Sequence, residues 1–160
     1  MRTVKTKVYT FDELSDEAKE RARDYIKTSD FDIFGWSEDW KASINAFVDH
    51  FGADLRDWQI GPWSPISYEV VAANSNFRGL KLRGFDRDHM PTGYCCDCNL
   101  WQTFYDEFKR TGDAKHAFEQ AVHAGFTGWQ KDWEAAYDDE ALDDFIIGNG
   151  YEFTEDGNWF

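Results

Sequence analysis

Leu55-Arg-Asp-Trp-Gln-Ile-Gly-Pro-Trp-Ser-Pro-Ile-Ser-Tyr-Glu-Val-Val-Ala-Ala73 separates a mixed fold from an all-helical one. Its ends, Leu55 to Ile60 and Tyr68 to Ala73, carry the β-branched and aromatic side chains that suit a pleated, half-buried surface. Between them, Gly61-Pro62-Trp63-Ser64-Pro65 is a turn signal, because Pro fixes φ and Gly accepts backbone conformations that other residues resist. The stretch therefore reads as two strands around a connection.

Helical periodicity flanks it on both sides. Ser37 opens a helix bearing Trp40, Ile44, Phe47, Val48 and Phe51, and Gly52 stops it. Upstream, Lys5 to Thr10 alternates like a short strand. Thr10 to Glu13 has capping-box spacing, and Ser15 caps a run from Asp16 to about Lys27 in which Leu14, Ala18, Ala22, Tyr25 and Ile26 share a face. Downstream, Leu80 to Arg83 reads as a third strand and Gly84 to Cys98 as a long loop. Leu100, Trp101, Phe104, Tyr105 and Phe108 then recur at helical spacing up to Gly112. A longer helix is expected from Asp113 to about Tyr137, weakened by Gly125 and Gly128. A last helix carries Ala141, Leu142, Phe145 and Ile146, and Tyr151 to Phe160 suggests a hairpin around Thr-Glu-Asp-Gly. The expected architecture is α+β, a single domain over residues 1–160, with four to five helices packed on a small antiparallel sheet. Trp40, Phe47, Phe51, Trp101, Phe104, Phe108, Phe118, Phe145 and Ile146 are its expected core.

The 160 residues hold 17 Lys+Arg against 31 Asp+Glu, a net charge of −14, yet 18% are aromatic. Disordered chains combine high charge with few aromatics, so a packed domain is expected. A DNA-binding surface built on overall positive charge is excluded, since that affinity rests on cations neutralising phosphates. Basic proteins are the expected partners. No apolar run approaches a membrane span, and Met1-Arg2-Thr3-Val4-Lys5 lacks the apolar run of a secretory signal. Three cysteines, all within Cys95-Cys96-Asp97-Cys98, do not make a disulfide framework, so a reducing cytoplasm is the expected compartment.

Two segments resemble a family of small phage and prophage proteins: Val8-Tyr-Thr-Phe-Asp-Glu-Leu-Ser-Asp-Glu-Ala-Lys-Glu-Arg-Ala-Arg23 at the start and Phe145-Ile-Ile-Gly-Asn-Gly-Tyr-Glu-Phe-Thr-Glu-Asp-Gly157 at the end. The matches cover about a fifth of the chain, and the centre, including the cysteine cluster, departs from the family's Gly-rich middle. Members are mostly uncharacterised and some carry an antitoxin label. The resemblance implies a phage setting inside a bacterial host and assigns no functional residue.

The charge is concentrated at one end. From Asp132 onward stand ten acids (Asp132, Glu134, Asp138, Asp139, Glu140, Asp143, Asp144, Glu152, Glu155 and Asp156) and no Lys or Arg. Glu134/Asp138, Asp139/Asp143 and Glu140/Asp144 are like-charge pairs at i,i+4, each costing about 0.2–0.5 kcal/mol in a helix. Asp138 to Asp144 would place five carboxylates over roughly 9 Å of helix, close to the charge density of duplex DNA. A solvated face that keeps the chain soluble accounts for the same residues. The functional reading is an acidic inhibitor, of anti-CRISPR or anti-restriction type, whose Asp132, Glu134, Asp138, Asp139, Glu140, Asp143 and Asp144 stand in for phosphates on a host nucleic-acid-binding protein. Trp63 would be an aromatic anchor, since Trp is enriched in interface hot spots. An antitoxin-like partner of a basic toxin is the alternative within the same chemistry.

A different class of function would centre on Cys95 and Cys98. With His89 and one further ligand they would make a metal site, although the second ligand pair of a zinc site is missing. Thiol redox chemistry at a helix start is another use of the spacing. Buried, reduced thiols beside Tyr94 and Trp101 are the favoured reading. Asp86-Arg87-Asp88-His89 has acid–base residue types but reads as an ordinary polar loop, and Arg78, Lys81, Arg83 and Arg87 are expected to pair with the chain's own acids. Among the aromatics in or near loops, Phe31, Phe34, Trp36, Trp58 and Trp63 need not all be buried. No catalytic residue, cofactor, membrane contact or direct nucleic-acid contact is expected, and the oligomeric state is left open.

Overall fold

In the computed structural model, which describes residues 7–29 and 33–160, five α-helices and two separate antiparallel strand pairs make an α+β fold. Residues 5 and 6 of the expected first strand, and Phe31, lie outside the described residues. The chain clusters into two compact units, residues 1–34 with 134–160 (unit 1) and residues 35–133 (unit 2).

Unit 1 starts with β1 (Tyr9–Thr10) and a 3-10 turn at Phe11–Glu13, where the Thr10 N–H donates to Glu13 Oε2 at 2.9 Å. Ser15 then caps α1 (Asp16–Thr28) by accepting the Ala18 N–H. The far end of the chain supplies α5 (Asp139–Gly148) and β4 (Glu152–Phe153). β4 pairs with β1 through Tyr9↔Phe153 and Thr10↔Glu152, and Phe153 also bridges Trp159, so the expected terminal hairpin gains a further strand. Phe11, Leu14, Ala18, Ala22, Ile26, Leu142, Ile146 and Phe153 form one buried cluster. Small residues at 18 and 22 let other backbone come close. Gly157 (φ +80°) closes the Thr154–Gly157 turn directly against the Ala18 carbonyl, where no Cβ would fit, and Arg21 Nε donates to Asp156 O at 2.6 Å.

Unit 2 contains α2 (Ser37–His50), the hairpin of β2 (Asp54–Gln59) with β3 (Ser67–Val71), α3 (Cys96–Thr111) and most of α4 (Ala114–Ala135). Phe47 is the hub of its core, stacked on Phe118 at 5.7 Å and edge-on to Trp101 at 5.0 Å. The expected core residues are all buried except Phe145, which is half-buried.

Two expectations change. Leu80 to Arg83 is not a strand: Gly79 adopts φ +72°, and the Gly84 and Phe85 N–H groups turn back to Lys81 O and Leu82 O, making a 3-10 turn at Leu82–Gly84. The long loop ends early, because Asp97 Oδ2 gathers Thr92 N, Thr92 Oγ1 and Gly93 N at 2.9–3.2 Å and starts α3 at Cys96. The expected long helix, α4, runs unbroken through Gly125 and Gly128. A Cβ at 125 would lie 2.6 Å from Leu100 Cδ2, and one at 128 would lie 2.5 Å from Trp40 Cη2. The glycines cost helix propensity and permit close packing.

Candidate interaction surface

Unit 1 carries most of the charge. Residues 1–34 and 134–160 hold seventeen Asp+Glu against seven Lys+Arg, a balance of −10 out of the chain's −14. Three of the four α1 cations turn inward: Lys19 and Arg23 lie over the Phe11 ring at 5.6 and 5.7 Å, and Lys27 and Arg23 reach α5, while Arg21 is exposed. Asp12, Glu13, Asp16, Glu17, Glu20 and Asp24, with Asp138, Asp139, Glu140, Asp144, Glu152, Glu155 and Asp156, are left exposed. The balanced charge of the first thirty residues hid this sorting, since the fold decides that Lys19, Arg23 and Lys27 are half-buried while the α1 acids face water.

The acids of α5 divide into two rows. Arg23 Nε and Nη2 donate to Asp143 Oδ1 and Oδ2 at 2.6 and 2.7 Å, and Asp139 accepts Lys27 Nζ at 3.3 Å. Hydrogen bonding to Asp143 holds the Arg23 guanidinium above its ordinary pKa. Asp143 is thus largely covered by α1, whereas Asp139 pairs with α1 cations at the surface and stays exposed. Asp138, at the N-cap of α5, with Glu140 and Asp144, is exposed and forms no ion pair among the described residues. Of the five carboxylates of the patch, four are exposed and three of those are unpaired among the described residues.

The two acids before it have other places. Asp132 is in unit 2, where Oδ2 accepts the indole N–H of buried Trp40 at 3.0 Å. Glu134 lies in the last turn of α4, and the helix ends at Ala135, so Glu134 and Asp138 do not form an i,i+4 pair on one helix.

Trp63 is 69% exposed and sits at φ +53°, in the left-handed region. The Ser64 N–H donates to Gly61 O at 3.3 Å, closing a turn with Pro62 and Trp63 at its centre. Gln130 of α4 donates to both Gly61 O (2.8 Å) and Ser64 O (2.6 Å) and pins that turn. Left-handed backbone costs a non-glycine residue about 1 kcal/mol or more, and a position with φ > 0 at the third residue of a turn favours Gly. The turn thus holds a bulky, mostly exposed ring on strained backbone. Trp36 and Trp58 are also exposed, Trp58 while leaning on Trp129 at 5.3 Å, whereas Phe34 is buried.

The cysteine and histidine candidates are not assembled into a centre. Cys95 is exposed, Cys98 half-buried and Cys96 buried, all three as free thiols. Burial pushes the Cys96 thiol up to about 12, the reverse of an activated thiolate. His89 stands edge-on to Trp101 at 4.6 Å and beside His50 at 6.1 Å. Among the described residues no group of three or more His, Cys, Asp or Glu is placed to hold a metal ion. The loop acids are also engaged: Asp86 accepts the Asp88 N–H, Asp88 accepts Gln102, and Arg87 forks onto Asp106 at 3.0 and 2.9 Å.

The chain matches no family model, no curated protein and no solved structure. Among the described residues no helix is long and apolar enough to cross a membrane.

Proposed function

We propose that the chain is a phage-encoded binding protein without catalytic chemistry. It docks its acidic unit on the basic, nucleic-acid-binding surface of a host defence complex, with CRISPR effectors ahead of restriction enzymes. The observation that carries this reading is the sorting of charge in unit 1, where a balance of −10 meets three α1 cations (Lys19, Arg23 and Lys27) drawn inward against Phe11 and α5. A nucleic-acid channel is lined by Lys and Arg for phosphates. A surface of one sign steers encounter with such a channel and occupies it in place of the nucleic acid. The two end segments that resemble phage proteins supply the setting. Because Asp139 and Asp143 already pair with cations of α1, Asp138, Glu140 and Asp144 are the α5 acids assigned to the contact, together with the exposed acids of α1.

Reversing Asp138, Glu140 and Asp144 to Lys tests it, with binding measured to purified CRISPR effector and restriction complexes with and without competing duplex DNA. The expected result is at least a tenfold loss of affinity, or about 1.4 kcal/mol, with the circular dichroism spectrum retained. Wild-type binding should also weaken steeply as salt rises and be displaced by DNA. Equal binding by the reversed variant, or binding indifferent to salt, overturns the reading.

A further inference from the structure

Unit 1 displays aromatic rings as well as carboxylates, and the two come together on its terminal hairpin. Glu152 to Phe160 holds three exposed acids, Glu152, Glu155 and Asp156, and two exposed rings, Trp159 at 46% and Phe160 at 63%. Single exposed apolar residues are ordinary, whereas adjacent large rings mark contact sites. Trp63, singled out by its loop position, belongs to unit 2, while Trp159 and Phe160 share a unit with the acids.

The hairpin is held from behind. Phe153 is buried, Gly157 closes the turn against the Ala18 carbonyl, and Arg21 Nε donates to Asp156 O at 2.6 Å. Trp159 stands opposite Phe153, leans on exposed Tyr25 at 5.9 Å and lies edge-on to Tyr151 at 6.3 Å. The Phe160 N–H bonds Glu152 O at 3.0 Å, which sets Phe160 opposite Glu152 in the same antiparallel register. Residues opposite one another share a face about 5 Å apart, and successive residues alternate faces. The outer strand thus carries a ring on each side, a carboxylate beside one of them and two more at the turn. Holding these groups in place before contact lowers the ordering cost of binding.

A strand with a ring on each side and acids around it suits a groove with two walls. A surface built for duplex DNA makes most of its hydrogen bonds to phosphate and sugar, with the bases stacked away inside. A single-strand groove instead combines cations for the backbone with aromatic platforms for unstacked bases. We infer that the hairpin occupies a single-strand nucleic-acid groove of the partner, with Trp159 and Phe160 in the places of bases and Glu152, Glu155 and Asp156 in those of phosphates. The inference rests on the acidic reading of unit 1 and names the kind of surface which that unit meets. A second copy of the chain is a poor occupant, because it would bring the same acids against these and each copy carries −14.

Binding of the full chain to purified CRISPR effector and restriction complexes tests it, with oligo(dT) and a duplex of equal phosphate content as competitors. Expected is displacement by oligo(dT) at a concentration at least about tenfold lower than by duplex. Phe160→Ala and Trp159→Leu should each bind at least about tenfold more weakly, and Trp159→Phe, which keeps a ring, within about threefold of wild type. Phe160→Ala should melt at the wild-type temperature, since its exposed ring touches no other ring among the described residues, so a loss of binding there is not a loss of fold. Duplex competing as well as oligo(dT) overturns the inference. So do ring variants that bind like wild type while the reversal of Asp138, Glu140 and Asp144 does not, a result that leaves the acidic reading standing. Wild-type binding to none of the complexes removes both. A wild-type dimer in sedimentation that Phe160→Ala dissociates overturns the inference by making the hairpin a self-contact.

Discussion

Arg23 and Asp143 join α1 to α5 through a two-pronged contact, with donor–acceptor distances of 2.6 and 2.7 Å and side chains only 18% and 29% exposed. The residues are 120 positions apart, and each sits beside residues of the same buried cluster: Ala22 next to Arg23, Leu142 next to Asp143. The pairing converts what would be a repulsive acidic face on α5 into the adhesive side of the helix. It also assigns the neighbouring row, Glu140 and Asp144, to solvent.

Asp143→Asn should therefore cost about 1–2 kcal/mol, because a partly buried guanidinium loses a charge-assisted partner. Asp144→Asn, on the exposed row, should change stability by less than about 0.5 kcal/mol. Urea unfolding of the two variants separates the rows, and equal effects would contradict the division.

Gly128→Ala should destabilise by about 1–3 kcal/mol even though Ala is the better helix former by about 1 kcal/mol. The added methyl meets Trp40 Cη2 at 2.5 Å and Asn99 Nδ2 at 2.8 Å, and Trp40 is held by its bond to Asp132. Gly148→Ala, in α5 with nothing within 4 Å, is the control and should be neutral or stabilising. Thermal melts of both variants measure the contrast.

These contacts explain why the sequence was only partly readable. Local signals sufficed where the deciding interaction is local: Ser15 capping Ala18, the Thr10–Glu13 pair, and the turn that closes at Gly112 with φ +71°. They failed where a distant residue decides. Gly125 and Gly128 look like helix weaknesses until Leu100 and Trp40 are placed against them. The five carboxylates of Asp138 to Asp144 look equivalent until α1 is laid on one row. Leu80 looks like strand sequence, but Gly79 breaks its extended path and no described strand pairs with it. Trp63 was legible as a loop aromatic that need not be buried, whereas the Gln130 pin beneath its turn was not, since 66 residues separate Gln130 from Ser64.

His50 makes the fold of unit 2 sensitive to mild acid. Burial, and then the nearby His89, lowers its pKa below the ordinary 6.5. The unfolded chain therefore takes up a proton at a pH where the folded chain does not, so stability is full above about 6.5 and falls as pH drops toward the folded value. The paired carboxylates of Asp106 and Glu107, lowered by hydrogen bonds from Arg87 and Arg110, add a second loss only in the more acidic carboxylate range. His50→Gln should flatten the first arm and leave the second. Unfolding free energies measured from about pH 7.5 down to 4 follow both arms, and an unchanged slope near pH 6 in the variant would remove His50 as its source.

Trp63 and Gln130 should respond in opposite ways. Trp63→Gly removes the ring's buried portion but relieves left-handed strain of about 1 kcal/mol, so stability should stay within about 1 kcal/mol of wild type. Gln130→Ala removes both donors to the Gly61 and Ser64 carbonyls and should cost about 1 kcal/mol, with water taking up part of the loss at this exposed turn. If Trp63 anchors a partner, Trp63→Gly lowers affinity by at least tenfold, the scale of an interface hot spot. Gln130→Ala lowers it less, by loosening a turn that still carries the ring. Denaturation and partner titration on the same two variants read both quantities. Loss of stability in Trp63→Gly with partner affinity unchanged would make the ring a packing residue, and its exposure incidental.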